Sequence, residues 1–187
     1  NPAGNAGFDW PQWRGPDGNG QSRETDWDPA AIANPKILWK VNVGLGYSNV
    51  AIFDGRLYAT GMTRDGFTVS CLDAVSGKVR WKRPLETTSF LTPQPTPAIE
   101  GRDLFILMTD GTLLALDART GRQKWRKDLV EDYGAVKPFY GFAGSPIVAD
   151  DLVLLTANTA GMAVNRGTGE LVWTSDKPPQ DILSADR

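Results

Sequence analysis

Four carboxylates stand at the tips of apolar hairpins and are the side chains of this sequence best placed for chemistry: Asp65, Asp110 and the pair Asp150–Asp151. A carboxylate can serve as a general base or bind a hard cation. A calcium ion, however, needs about six to eight converging oxygens, and aspartates at separate turns have the ordinary task of shaping those turns. The sequence contains no histidine, which removes the commonest general base and the commonest zinc ligand together. Its one cysteine, Cys71, has no intrachain disulfide partner and reads as a small buried strand residue, in which setting a thiol is inert. No catalytic residue and no metal ligand is assigned.

Recognition is the other chemistry on offer. The segment 126–144 is the longest connection between apolar units and the richest in aromatic side chains, with Tyr133, Phe139, Tyr140 and Phe142 beside Lys137 and Pro138. Loops held on a rigid scaffold are where binding residues concentrate. Tyr133, Lys137, Phe139 and Tyr140, together with Tyr47, Arg64, Asp110 and Asn158, form the expected partner- or ligand-binding set. Packing of the long loop against its own scaffold is the competing reading.

The elements that must carry these residues announce themselves through repetition. One cassette occurs three times: Cys71-Leu-Asp-Ala-Val-Ser-Gly-Lys-Val-Arg-Trp81, Ala115-Leu-Asp-Ala-Arg-Thr-Gly-Arg-Gln-Lys-Trp125 and Ala163-Val-Asn-Arg-Gly-Thr-Gly-Glu-Leu-Val-Trp173. Asp73, Asp117 and Asn165 can accept hydrogen bonds from backbone N–H groups just downstream, an Asx-turn. Ser76, Thr120 and Thr168 can reinforce that turn, and Gly77, Gly121 and Gly169 supply positive φ. The closing Trp is expected on an outer strand, covering the seam to the neighbouring unit. Its ring buries roughly 150–250 Å².

Upstream of each cassette lie three short apolar runs divided by turn pairs, among them Asp54-Gly55, Asp65-Gly66, Glu100-Gly101 and Asp110-Gly111. Asp-Gly between apolar runs is a strong hairpin signal. Each unit therefore reads as four antiparallel strands. Trp39, Trp81, Trp125 and Trp173 stand about 40–50 residues apart, the repeat length of propeller blades. The fold class is all-β: a propeller of four-stranded blades, present as an incomplete arc of about three blades plus one outer strand. The expected divisions are a leader 1–34, an outer strand of the ring-closing blade 35–43, blades at 44–83, 84–127 and 128–175, and a linker 176–187 into a further blade. The connections between blades and the turns between second and third strands would share one face, where the binding set gathers.

The cassette, with Trp39 as an extra member, resembles the tryptophan-docking motif of pyrroloquinoline-quinone (PQQ)-type propeller repeats, over Trp39 to Trp173. The opening Asp9-Trp-Pro-Gln-Trp-Arg-Gly-Pro-Asp-Gly-Asn-Gly is similar to the leader of a bacterial exported branch of these proteins, which implies a periplasmic or secreted chain whose signal peptide is not in this sequence. Two functions follow from the resemblance. One is a non-catalytic scaffold that binds a protein or ligand in the bacterial cell envelope, without cofactor, its partner being another protein or the C-terminal blades of the same propeller. The other is part of a quinoprotein dehydrogenase that oxidises alcohols or sugars with PQQ and Ca²⁺. The alcohol dehydrogenases of that kind carry adjacent cysteines, which this sequence lacks, so the scaffold is preferred. The same repeat also occurs as the sensor domain of some kinases, but the sequence holds no kinase motif.

Bulk properties narrow the partners further. Twenty basic against 22 acidic residues, with no long run of one sign, are unlike the clustered basic surface of a nucleic-acid binder. No apolar stretch is long enough to span a bilayer as a helix.

Overall fold

The computed structural model describes residues 9–25 and 28–178. Among them the one helical element is a 3₁₀ turn, Pro29–Ala33. Everything else of regular structure is strand, in three separate four-stranded antiparallel sheets. The first holds β1 (Ala51–Phe53), β2 (Arg56–Thr63), β3 (Gly66–Asp73) and β4 (Val79–Pro84). The second holds β5 (Ala98–Glu100), β6 (Asp103–Leu107), β7 (Thr112–Asp117) and β8 (Gln123–Asp128). The third holds β9 (Ile147–Ala149), β10 (Leu152–Leu155), β11 (Met162–Asn165) and β12 (Leu171–Thr174). In each sheet the strands pair in chain order, the meander of a propeller blade. The three blades form an open arc rather than a closed ring.

The turn residues explain the hairpins. Between β1 and β2, Asp54 and Gly55 take φ of 49° and 67°, the two left-handed positions of a type I′ turn. Before β10, Asp150 likewise takes a left-handed φ, of 50°. The cassettes fold alike in all three blades. Asp73 Oδ1 accepts from Ser76 N and Ser76 Oγ, both at 2.8 Å. Asp117 Oδ1 accepts from Arg119 N, Thr120 N and Thr120 Oγ1 at 2.9–3.1 Å. Asn165 Oδ1 accepts from Gly167 N at 2.9 Å and Thr168 N at 3.0 Å. A bulge follows the first cassette residue each time, and that small residue stands opposite the cassette's own Trp: Cys71 opposite Trp81, Ala115 opposite Trp125, Ala163 opposite Trp173.

Strand alternation divides the core into two seams. Leu104, Ile106, Leu114 and Leu116 of the middle blade point to the first blade and meet Tyr58, Phe67, Val69 and Cys71. Phe105, Leu107, Leu113 and Ala115 point the other way, against Val153, Leu155, Met162 and Val164. That two-sided burial accounts for the unbroken apolar runs of β6 and β7, which a one-sided sheet would interrupt with polar residues. The third blade is covered on one side. Val153 and Leu155 are buried, while Leu152 and Leu154 are half-buried and Ile147, Leu171, Val172 and Trp173 are exposed.

The segment 35–43, expected as the outer strand of the ring-closing blade, has no assigned strand here, while its Trp39 lies on Gly77 of the first blade. It runs without ladder partners among the described residues, and Ile37 and Leu38 are exposed. A strand exists only as a member of a sheet, and the inner strands that this segment is expected to pair with are not among the described residues. Of the expected linker 176–187, residues 179–187 lie outside the described residues, as do residues 1–8 of the leader.

A candidate partner-binding face on the inter-blade connections

Three connections precede the innermost strands of the blades, and hydrogen bonds stitch them into one surface. Tyr47 N donates to Pro93 O at 2.8 Å, joining the first connection to the second. Gln94 Nε2 donates to Tyr140 O at 3.2 Å, joining the second to the third. A deeper pair of latches runs beneath: Asn49 N donates to Thr96 Oγ1 at 3.1 Å, and Thr96 N donates to Ser145 Oγ at 2.9 Å. Thr96 and Ser145 occupy equivalent places two residues before β5 and β9, each followed by a proline.

The long third connection is built to hold its tip still. Phe142 is fully buried and its N–H donates to Thr109 O at 3.0 Å. At Gly141, with φ of 75°, a Cβ would stand 2.3 Å from Thr109 O, so only glycine permits the approach. Phe139 and Tyr140 are thereby turned outward, 79% and 72% exposed. Their rings meet edge to face, with centroids 4.9 Å apart. A hollow of about 700 Å³ opens beside them, lined by Pro138, Phe139, Tyr140, Phe142, Ala143 and Thr156. Tyr47 and Phe90 on the neighbouring connections are exposed as well, Phe90 completely. Lys137 and Arg64 are the exposed cations of this set. Arg64 borders a second hollow with Asn42, Leu45, Met62, Asp65 and Lys82.

The remaining residues of the expected binding set make contacts within the chain. Asp110 Oδ2 accepts from Thr87 Oγ1 at 2.6 Å and Thr88 N at 3.0 Å, and its Oδ1 accepts from Thr112 N at 2.9 Å. Burial pushes this carboxyl upward, but those bonds outweigh it and leave the group below the usual carboxylate range. Asn158, at φ of 53°, accepts from Val136 N through Oδ1 and donates to Thr174 Oγ1 through Nδ2. Tyr133 Oη donates to Gly169 O at 2.5 Å across the blade seam, and burial raises its pKa. Phe90, Gln94, Thr96 and Ser145 were not among the expected residues. The recurrence of Ser/Thr-Pro before two inner strands is the sequence signal that points to the latches.

Among the described residues, no three or more His, Cys, Asp or Glu side chains gather as a metal ion would require. Asp110 is already satisfied, and Asp65 and Asp150–Asp151 lie at separate turns. The described residues do not bring together the oxygens that a calcium ion takes. Cys71 is buried opposite Trp81, and burial raises its thiol pKa, so it is not poised as a nucleophile.

An arc of four-stranded blades, in which Trp81 and Trp125 each lie on the blade that follows, defines a PQQ-like β-propeller. The chain belongs to the family of the outer membrane protein assembly factor BamB, whose profile matches residues 30–181. It is 31% identical over 156 residues to the outer membrane protein assembly factor BamB of Burkholderia pseudomallei, covering 80% of this chain and 37% of that protein. It is also 30% identical over 144 residues to a 1-butanol dehydrogenase (quinone) of Thauera butanivorans, covering 67% of this chain and 22% of the relative. Among solved structures, the quinohemoprotein alcohol dehydrogenase of Comamonas testosteroni superposes with a TM-score of 0.71 at 20% identity, over 88% of this chain and 26% of that one. The last is a likeness of fold. The chain thus spans 37% and 22% of the lengths of these two curated relatives.

Proposed function

We propose that this chain is a non-catalytic PQQ-like propeller unit of the bacterial cell envelope, periplasmic or secreted, whose inter-blade connections bind a protein partner. The observation that carries the reading is the outward Phe139–Tyr140 pair on a loop clamped by Phe142 and Gly141, with Tyr47 and Phe90 exposed on the connections stitched to it. Rigidly presented aromatics lose little entropy on binding and dominate protein interfaces. The match to BamB, a protein named for outer membrane protein assembly, supports the envelope setting. The exposed apolar side of the third blade is a second contact surface, suited to a further blade of the same propeller.

The likeness to a quinone-dependent dehydrogenase favours a second reading, in which the chain is part of a PQQ- and Ca²⁺-dependent alcohol or sugar dehydrogenase. The two are separated by supplying PQQ and calcium to the protein and following dye-linked oxidation of alcohols. No quinone uptake and no turnover are expected. Turnover that requires both additives would overturn the scaffold reading.

A further inference from the structure

In every blade the innermost strand is an edge of its sheet, with one row of backbone groups unpaired by any blade strand. The second residue of each such strand is Ile52, Ile99 or Val148. Three consecutive leader residues address them, one per blade. Ile52 N donates to Trp10 O at 2.9 Å, and Trp10 N returns a bond to Ile52 O at 2.8 Å. Ile99 N donates to Pro11 O at 2.8 Å. Val148 N donates to Gln12 Oε1 at 3.4 Å. At the middle position only an acceptor is needed, and proline, which has no N–H, provides one.

The leader arrives already folded for this. Gly15 N donates to Gln12 O at 3.0 Å, Gly20 N to Arg14 O at 2.9 Å, and Arg14 Nη2 to Asn19 O at 3.2 Å. The Trp10 indole packs back on Gly15, where a Cβ would stand 2.9 Å from the ring. Asp9 Oδ1 accepts from Asp54 N at 3.1 Å, fixing the register on the first blade. Yet the contact is an edge contact and not a filled seam. A cavity of about 540 Å³ remains beside it, lined by Asp9, Trp10, Pro11, Arg23, Ile52 and Phe53 among others.

We propose that the inner-strand edges of these three blades form a binding site for an extended peptide, and that the leader segment Asp9–Gln12 is its resident ligand. The mode is strand addition, in which main-chain bonds supply affinity. The leader ties the blades together at the propeller axis, and an axial peptide must displace it.

Amide hydrogen exchange on the full chain tests this, comparing it with the full-chain variant Trp10→Gly, Pro11→Gly, Gln12→Gly. Exchange at Ile52, Ile99 and Val148 is expected to rise roughly five- to tenfold. Val148 loses the Gln12 side-chain acceptor. The glycine segment, without the Trp10 ring on Gly15 and the fixed φ of Pro11, no longer holds its carbonyls on the other two edges. Amides in the β6–β7 ladder, such as Leu104 and Leu116, serve as the control for intact blades. An excess of a synthetic peptide matching residues 9–14 is expected to restore protection in the variant and to leave the natural chain unchanged. Unaltered exchange at the three amides, or failure of the peptide to restore it, would overturn the proposal. Should the triple variant lose its blades, Gln12→Ala decides: faster exchange confined to Val148 upholds the one-residue-per-blade contact, and no change there refutes it.

Discussion

The indole of Trp81 lies on the backbone of Gly121 in the next blade, so closely that a Cβ at Gly121 would stand 2.8 Å from Cε3. The same ring donates from Nε1 to Ala118 O at 3.0 Å. Trp125 repeats both contacts one blade further on, against Gly169 and Arg166 O, and Trp39 lies on Gly77. Each cassette glycine therefore has two tasks: it takes φ near 70–75° in its own turn, and it provides a flat seat for its neighbour's tryptophan.

Glycines at positive φ without a neighbour isolate the second task. Gly66 has φ of 98° and open space where a Cβ would go, whereas Gly121 has φ of 71° and Trp81 in that space. Gly66→Ala is expected to cost about 1 kcal/mol from backbone strain. Gly121→Ala is expected to cost at least about 2 kcal/mol more, since the ring must lift from the seam. Urea unfolding monitored by tryptophan fluorescence measures both. Equal losses would contradict the seating role.

Trp125 and Tyr140 differ in the same sense. Trp125 borders the seam packed by Phe105, Leu107 and Val153, and Trp125→Ala is expected to cost about 3–5 kcal/mol. Tyr140→Ala removes an exposed ring and is expected to change stability by no more than about 0.5 kcal/mol. Thermal unfolding of the two variants distinguishes core from presented surface.

Acid should loosen the cassettes selectively. Bonds from Ser76 and Arg80 hold the Asp73 carboxyl at about 2. Burial pushes Asp117 up, but Thr120 and Arg102 more than offset it and leave that carboxyl below its ordinary value too. A carboxylate depressed on folding contributes stability that is complete above its unfolded pKa of about 4 and is lost as pH falls through the folded value. The first cassette should therefore weaken between about pH 4 and 2 and the second as pH falls below about 4, while the third is built on Asn165, which carries no titrating group. Unfolding midpoints of Asp73→Asn and Asp117→Asn, taken from pH 5 to pH 2, are expected to fall less steeply than that of the natural chain. Parallel curves would refute the assignment.

The Cys71 thiol is fully buried, with its pKa raised by burial. Alkylation by iodoacetamide at neutral pH is expected to be negligible in the folded chain and rapid in urea. Cys71→Ala is expected to cost no more than about 1.5 kcal/mol, because Ala115 and Ala163 hold the same place opposite their own tryptophans. Fast labelling without denaturant would show an open seam.

The sequence made the blades legible because their determinants are local. Asp54-Gly55 or Asp73 with Ser76 fold within a few residues, and the Trp period adds the repeat. Contacts between distant residues left no such mark. Asn49 with Thr96, Thr96 with Ser145 and Gln12 with Val148 join positions from 47 to 136 residues apart. Sequence placed Asp110 and Asn158 at turns between second and third strands and Tyr133 on a connection, but could not show which way each side chain turns, and all three bond within the chain. The segment 35–43 carries the pattern of a strand, yet a strand requires a partner that the pattern does not reveal.

The partner-binding face is tested most directly by site-specific photo-crosslinking in cells, with the probe at Tyr140, at Phe90, or at Val75. Val75 is also exposed but lies in a β3–β4 turn, at the opposite end of its blade. A discrete protein adduct from Tyr140 and Phe90, absent from Val75, is the expected result. Adducts at all three positions alike, or at none, would contradict a binding face built on the inter-blade connections.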